Sequence, residues 1–200
     1  MQLGVSSVPS RDADRRRNER YRTILRIAVL EVHGRSQLCI VRNLSTTGLQ
    51  VNTSNALLPG HCVRLRFRDD DWHEGSVIWR DASLTGLAFA VPLRREELQA
   101  ALGPTDGSRP RVPRVPLHVS AHLRIGGRNY RAKLIDISPR GAGIRLDAEP
   151  ESRDLCLSVP GLPPISGQLR WSSEGNLGMS FNEMLPVQAL AKWLDGLEAR

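Results

Sequence analysis

The 200-residue chain, 22.2 kDa with 40% hydrophobic and 24% charged residues, has room for one large domain or two of roughly 100 residues. It contains no apolar run of about 18 residues, which excludes a membrane-spanning helix, and its three widely spaced cysteines, Cys39, Cys62 and Cys156, form neither a disulfide framework nor a zinc-ligand pattern. The net charge is +7, carried almost wholly by arginine because Lys133 and Lys192 are the only lysines. That composition leans toward an anionic ligand, guanine-bearing ones included, although GC-rich codon usage would produce it too.

Residues 1–14 are polar and unpatterned, as a flexible tail would be. Met1–Pro9 lacks the basic and apolar regions of a secretory signal, so the cytoplasm is the expected compartment. The run Arg15-Arg16-Arg17-Asn18-Glu19-Arg20-Tyr21-Arg22 sets Arg16 and Arg20 in an R-x-x-x-R spacing. In an extended loop two such arginines can wrap one compact dianion; a solvated charge run is the competing reading. His33-Gly34 reads as a hairpin turn. Short strands follow around Leu38–Leu44, Leu49–Val51, the alternating Val63–Arg68, Val77–Trp79 and Leu87–Val91. Asp69-Asp70-Asp71 lacks the spacing of a calcium loop and suits a polar hairpin tip. A helical pattern covers Leu93–Leu102, and residues 103–113, rich in Gly and Pro, read as a linker.

The second half repeats the plan. Leu117–Ile125 alternates strictly, Gly126-Gly127 marks a turn, and strands are expected around Tyr130–Ile135, Ile144–Leu146, Leu155–Val159, Leu169–Trp171 and Met179–Phe181. Val187–Glu198 is helical, with Leu190, Trp193, Leu194 and Leu197 on one face. His118 and His122 would share a helix face but lie roughly 13 Å apart on a strand, too far for one ion, so no metal site is expected.

These similarities amount to a duplication. Gly75, Trp79, Gly86 and Phe89 recur as Gly167, Trp171, Gly178 and Phe181, each 92 positions on. Asn43-x-Ser45-x-x-Gly48 recurs as Asp136-x-Ser138-x-x-Gly141, 93 on, and Arg20 as Arg114, 94 on. Five or six short strands in about 90 residues suggest a small antiparallel barrel. The expected architecture is mainly β: two tandem six-stranded antiparallel barrels, each with a C-terminal helix, spanning residues 15–102 and 114–200. Trp79 and Trp171 are expected to plug the barrels.

The Asn/Asp-x-Ser-x-x-Gly element follows a strand in both copies. It suits a tight turn whose glycine takes positive φ. An arginine cluster about 20 residues upstream in each copy turns that bland reading toward ligand binding. Arg16-x-x-x-Arg20, Asn43-x-Ser45-x-x-Gly48, Trp79 and the Gly86-Leu87-x-Phe89 ending together resemble the PilZ domain, and Trp171 with Gly178-Met179-x-Phe181 repeats the pattern.

The resemblance implies six-stranded barrels that bind the bacterial second messenger cyclic di-GMP, with no resident cofactor. It implies that Arg16 and Arg20 grip guanine edges and phosphates, that Asn43 bonds a guanine, that Ser45 reaches a phosphate or the neighbouring base, and that Gly48 keeps the turn tight. In the second copy Asp136, Ser138 and Gly141 are intact. Pro110, however, stands four residues before Arg114, so either Arg109 or Arg111 substitutes or the copy binds weakly or not at all. The implied protein is a non-catalytic receptor that changes loop order and interdomain arrangement and signals to an unidentified protein partner in motility, attachment or exopolysaccharide control. The alternative is a PilZ-like protein-interaction module in which one or both copies bind no nucleotide. Only 4% of residues are aromatic and no recognition helix is visible, which speaks against nucleic acid. No Ser/His/Asp order or glycine-rich phosphate loop suggests an enzyme.

Overall fold

The computed structural model describes residues 21–53, 57–68, 71–102 and 112–198. Strands β1 (Tyr21–Val32), β2 (Arg35–Leu44), β3 (Gly48–Asn52), β4 (Cys62–Arg66), β5 (Trp72–Asp81) and β6 (Leu84–Phe89) close into an antiparallel barrel. Their order is β1-β2-β3-β6-β5-β4, with β4 returning to β1. Helix α1 (Arg95–Leu102) follows. Strands β7 (Val115–Ile125), β8 (Arg128–Ser138), β9 (Gly141–Arg145), β10 (Asp154–Ser158), β11 (Ile165–Ser173) and β12 (Asn176–Phe181) close the second barrel in the same order, and α2 (Val187–Glu198) ends it. Two six-stranded barrels, each with a C-terminal helix, are the architecture the sequence leads one to expect. The tail 1–14, the linker core 103–111 and Asp69-Asp70 lie outside the described residues.

The hairpins form where the sequence places them. His33 and Gly34 (φ 51° and 76°) and Gly126 and Gly127 (φ 53° and 85°) are left-handed pairs, the conformation whose twist matches two flanking antiparallel strands. In the second barrel, alternation sends Ala121, Leu123 and Ile125 inward and His122 and Arg124 outward. Leu134, Ile144, Leu157, Leu177 and Met179 complete its interior, and Leu190, Trp193 and Leu194 of α2 close one side. Trp193 Nε1 donates to the Pro160 carbonyl at 2.8 Å. In the first barrel Leu30, Leu65 and Phe67 form the centre, with Leu98 and Ala101 of α1 against it. Glu97 begins that helix by accepting the Arg94 N–H at 2.7 Å, the return half of a capping box.

The barrels touch. Ala28, Val29 and Leu30 are all fully buried; Ala28 and Leu30 point into the first barrel, whereas Val29 and Leu38 join the apolar cluster of the second. Arg66 of β4 stacks over Trp72 at 4.7 Å and donates through Nη2 to the carbonyl of Arg114 at 2.5 Å. No described helix is long and apolar enough to cross a membrane.

Candidate functional site

Each Asn/Asp-x-Ser-x-x-Gly element is the connection leading into the third strand of its barrel. In the first copy the Ser45 N–H donates to the Gly48 carbonyl at 2.8 Å. Its hydroxyl donates to the same oxygen at 2.9 Å and accepts the Gly48 N–H at 3.1 Å. In the second the Ser138 hydroxyl donates to the Gly141 carbonyl at 3.2 Å and is only 4% exposed. The serines therefore staple the turns.

Neither Gly48 nor Gly141 has positive φ, which corrects the sequence expectation. Their role is close approach: a Cβ at Gly48 would strike the Leu87 carbonyl, and one at Gly141 the Met179 carbonyl. Only a residue without a side chain lets the neighbouring strand pair at this point.

The polar residue that starts each motif is held differently in the two copies. Asn43 donates through Nδ2 to the Gln50 side chain. At the position of Gln50, 93 residues on, stands Gly143, and Asp136 instead accepts its backbone N–H at 2.8 Å. The same carboxylate oxygen takes Nη1 of Arg114 at 2.8 Å, and both side chains are about a third exposed. Arg114 thus reaches the motif as its spacing suggests: β7 begins with Val115 opposite Ile137 and Pro116 opposite Asp136. In the first barrel Tyr21 lies opposite Leu44 and Arg22 opposite Asn43. Arg16, Arg20, Arg109 and Arg111 lie outside the described residues.

Asn43, Ser45, Gly48, Gln50 and Trp79 line a groove of about 560 Å³ on the outer face of β2, β3, β6 and β5, within the usual size of ligand pockets. The tryptophans stand outside the barrels, which corrects their expected role as plugs. A register shift between Val77 and Trp79 lets Ile78 and Trp79 both face outward, and one between Leu169 and Trp171 does the same, as an extra residue in a strand requires. Trp79 and Trp171 are 37% and 46% exposed. Each ring lies flat on a glycine, Gly86 or Gly178, where any Cβ would overlap the indole. The repeated tryptophan–glycine spacing records that seat.

Two residues of this surface escape motif reading. Gln50 binds Asn43, as above. Arg170 takes the place of Ile78, 92 positions on, and donates through Nε to Ser180 Oγ at 2.7 Å, so the second barrel carries a guanidinium where the first carries an apolar side chain. Aligning the two halves residue by residue would have found both.

Among the described residues no group of His, Cys, Asp or Glu is placed to hold a metal ion. Cys39, Cys62 and Cys156 are free thiols, Cys39 buried and Cys62 exposed.

Solved structures similar to this chain include the Borreliella burgdorferi PlzA protein in complex with c-di-GMP, 14% identical over 91% of this chain and 95% of that one, with a TM-score of 0.39. Others are the Bacillus subtilis inhibitor of motility MotI/DgrA (13% identical, 88% and 98% covered, TM-score 0.35) and Escherichia coli YcgR in complex with c-di-GMP (15% identical, 88% and 84% covered, TM-score 0.33). No curated protein matches the sequence. The family model of the PilZ domain matches residues 14–103 and again 108–196. With two closed barrels of one topology and a stapled Asn/Asp-x-Ser-x-x-Gly turn in each, the chain belongs to the PilZ domain family and carries the domain twice.

Proposed function

We propose that the chain is a non-catalytic cytoplasmic receptor for cyclic di-GMP that relays occupancy to a protein partner. The observation that supports this most directly is the second barrel's arginine–carboxylate pair at the lip of the motif. Arg114 rests on Asp136 at 2.8 Å, poised to turn its fork of donors onto a guanine edge or a phosphate. Arg20 precedes a strand that begins beside Asn43, as Arg114 precedes one that begins beside Asp136. In this reading Arg16 and Arg20 close over ligand seated on Asn43 and the Ser45–Gly48 turn, with the Trp79 face beneath. Asp136, Ser138 and Gly141, with Arg114 and with Arg109 or Arg111, form the second seat. Signal passes between barrels because the Arg114 carbonyl is held by Arg66 of the first: moving Arg114 toward ligand alters the contact that joins the domains.

Calorimetric titration with cyclic di-GMP tests this on wild type, Arg20→Ala and Arg114→Ala. A good bidentate base contact contributes roughly 1–3 kcal/mol, so each variant should weaken its own site by about 5- to 150-fold. Solution scattering with saturating ligand should change shape. Absence of heat at tens of micromolar would reject the receptor reading in favour of a PilZ-like interaction module; an unchanged scattering profile would reject the relay.

A further inference from the structure

The two barrels present one and the same sheet face with opposite chemistry. On the first barrel the outer face of β1, β2 and β3 carries Ile27, Val29, Leu38, Ile40 and Asn52, with Val29 opposite Leu38, Ile27 opposite Ile40, and Ile40 opposite Asn52. This face is covered. Val29 and Leu38 are 0% and 2% exposed and belong to the second barrel's apolar cluster. Helix α2 packs across β2, and Val187, Gln188 and Ala191 face Leu38, Ile40 and Asn52 across a cavity of about 220 Å³.

Ninety-three positions later the same five places hold Ser120, His122, Arg131, Lys133 and Arg145. The pairing repeats: His122 lies opposite Arg131, Ser120 opposite Lys133, and Lys133 opposite Arg145. All five are exposed. They line an open groove of about 820 Å³ that also takes in His118 and Asp147. The side chains of Arg131, Lys133 and Arg145 make no ion pair or hydrogen bond with another described residue. Like charges placed directly opposite on neighbouring strands cost stability, and the inward residues of these strands, Ala121, Leu123, Ala132 and Leu134, do not require them. Solubility would be served by mixed signs.

We propose that this basic face of β7, β8 and β9 docks an acidic helix of a partner protein. A helix is the occupant because the equivalent face of the first barrel receives one, α2. Acidity follows from the three uncompensated cations. Lys133 and Arg145 face each other across adjacent strands about 4.8 Å apart, and Arg131 lies two residues from Lys133 along β8, roughly 6.6 Å away; both spacings are close to the roughly 5–6 Å that separates side chains one turn apart on a helix. Glutamates one turn apart on such a helix, laid along β8, would meet Arg131 and Lys133, with Arg145 flanking the second of them. Nucleic acid fits less well, since no Phe, Tyr or Trp lines this groove to stack a base.

The test uses the full chain and two fluorescent 20-residue alanine-based helical peptides, one with glutamate at every fourth position and one with glutamine there. Anisotropy should show the glutamate peptide binding at least tenfold more tightly than the glutamine peptide at 50 mM salt. The triple variant Arg131→Gln/Lys133→Gln/Arg145→Gln should lose at least tenfold, with its urea midpoint equal to or above wild type. A second triple variant, Arg131→Glu/Lys133→Glu/Arg145→Glu, should lose more. Equal binding of the two peptides, or undiminished binding by variants that fold, overturns the proposal. So does displacement of the glutamate peptide by an equimolar 20-base-pair duplex, which would make the face a nucleic-acid surface.

Discussion

Replacing Gly143 by alanine tests the account of the Asp136 site through stability alone. A Cβ at Gly143 would fall inside 3.0 Å of Cγ and both oxygens of the Asp136 carboxylate, a separation no real packing tolerates. The backbone φ is not positive, so alanine itself suits the strand, and the clash must be relieved by swinging the carboxylate away. Two charge-assisted hydrogen bonds then go, to the Gly143 N–H and to Arg114, both at 2.8 Å. Such bonds contribute about 1.5–3 kcal/mol each when well shielded, but both side chains are about a third exposed, so the pair of bonds together sits near 2–3 kcal/mol. Alanine regains about 0.5–1 kcal/mol over glycine within a strand. The net expectation is a loss of about 1–2 kcal/mol, read as a lower urea midpoint at unchanged slope. In an Asp136→Ala background the same replacement should be neutral or stabilising, because nothing remains to displace. A single Gly143→Ala variant as stable as wild type, or an equal loss in both backgrounds, would refute the reasoning.

Three further outcomes follow from other parts of the molecule. Burial pushes the Cys39 thiol from 9.0 up to about 12; the folded chain keeps a proton that the unfolded chain loses, so stability falls as pH rises from 9 toward 12, by up to about 1.4 kcal/mol per unit. Cys39→Ala should remove that component of the slope in urea melts at pH 8, 9.5 and 10.5, and an unchanged slope would contradict it. Gly86→Ala should drive the Trp79 indole off its seat, shift its emission to the red, and cost about 1 kcal/mol of overpacking, whereas the same change beside Trp79→Ala should cost nothing. Arg170→Ala should weaken cyclic di-GMP binding at the second site about tenfold, with the first site unmoved; a wild-type isotherm would show that this guanidinium serves only Ser180.

The parts of the fold legible in the sequence are those where one physical rule acts alone. Leu117–Ile125 alternates because its outer side meets solvent, and Gly126-Gly127 turns because both residues need left-handed backbone. The duplication exposed both barrels at once. By contrast Ile27–Leu30 does not alternate, since Val29 meets the second barrel while Ala28 and Leu30 meet the first. A period-two pattern cannot survive burial on both faces. Trp79 and Trp171 defeated the same rule for another reason: one extra residue in the strand flips everything after it. In the candidate site the Asn43, Ser45 and Gly48 set and the Asp136, Ser138 and Gly141 set were readable from spacing, as was the approach of Arg114. The Arg66–Arg114 link was not, because it joins residues 48 apart through a backbone carbonyl.

The differences between the halves form a pattern rather than a scatter. Where the first copy has Arg16 four residues before Arg20, the second has Pro110 before Arg114, a loss of one upstream cation. On two surfaces of the barrel the exchange runs the other way: Ile78 becomes Arg170, Ile40 becomes Lys133, Leu38 becomes Arg131 and Asn52 becomes Arg145. The Ile78 exchange touches the motif groove and the other three the face that α2 covers on the first barrel. Cations are therefore gathered on a face of the second barrel that is apolar on the first. A first barrel whose β1–β2 face is buried against its neighbour cannot display cations there, and its exposed Arg35, Arg64 and Arg80 stand elsewhere on its surface. The second barrel has that face open to solvent and carries cations there, on strands that hold them in fixed register before an anion arrives.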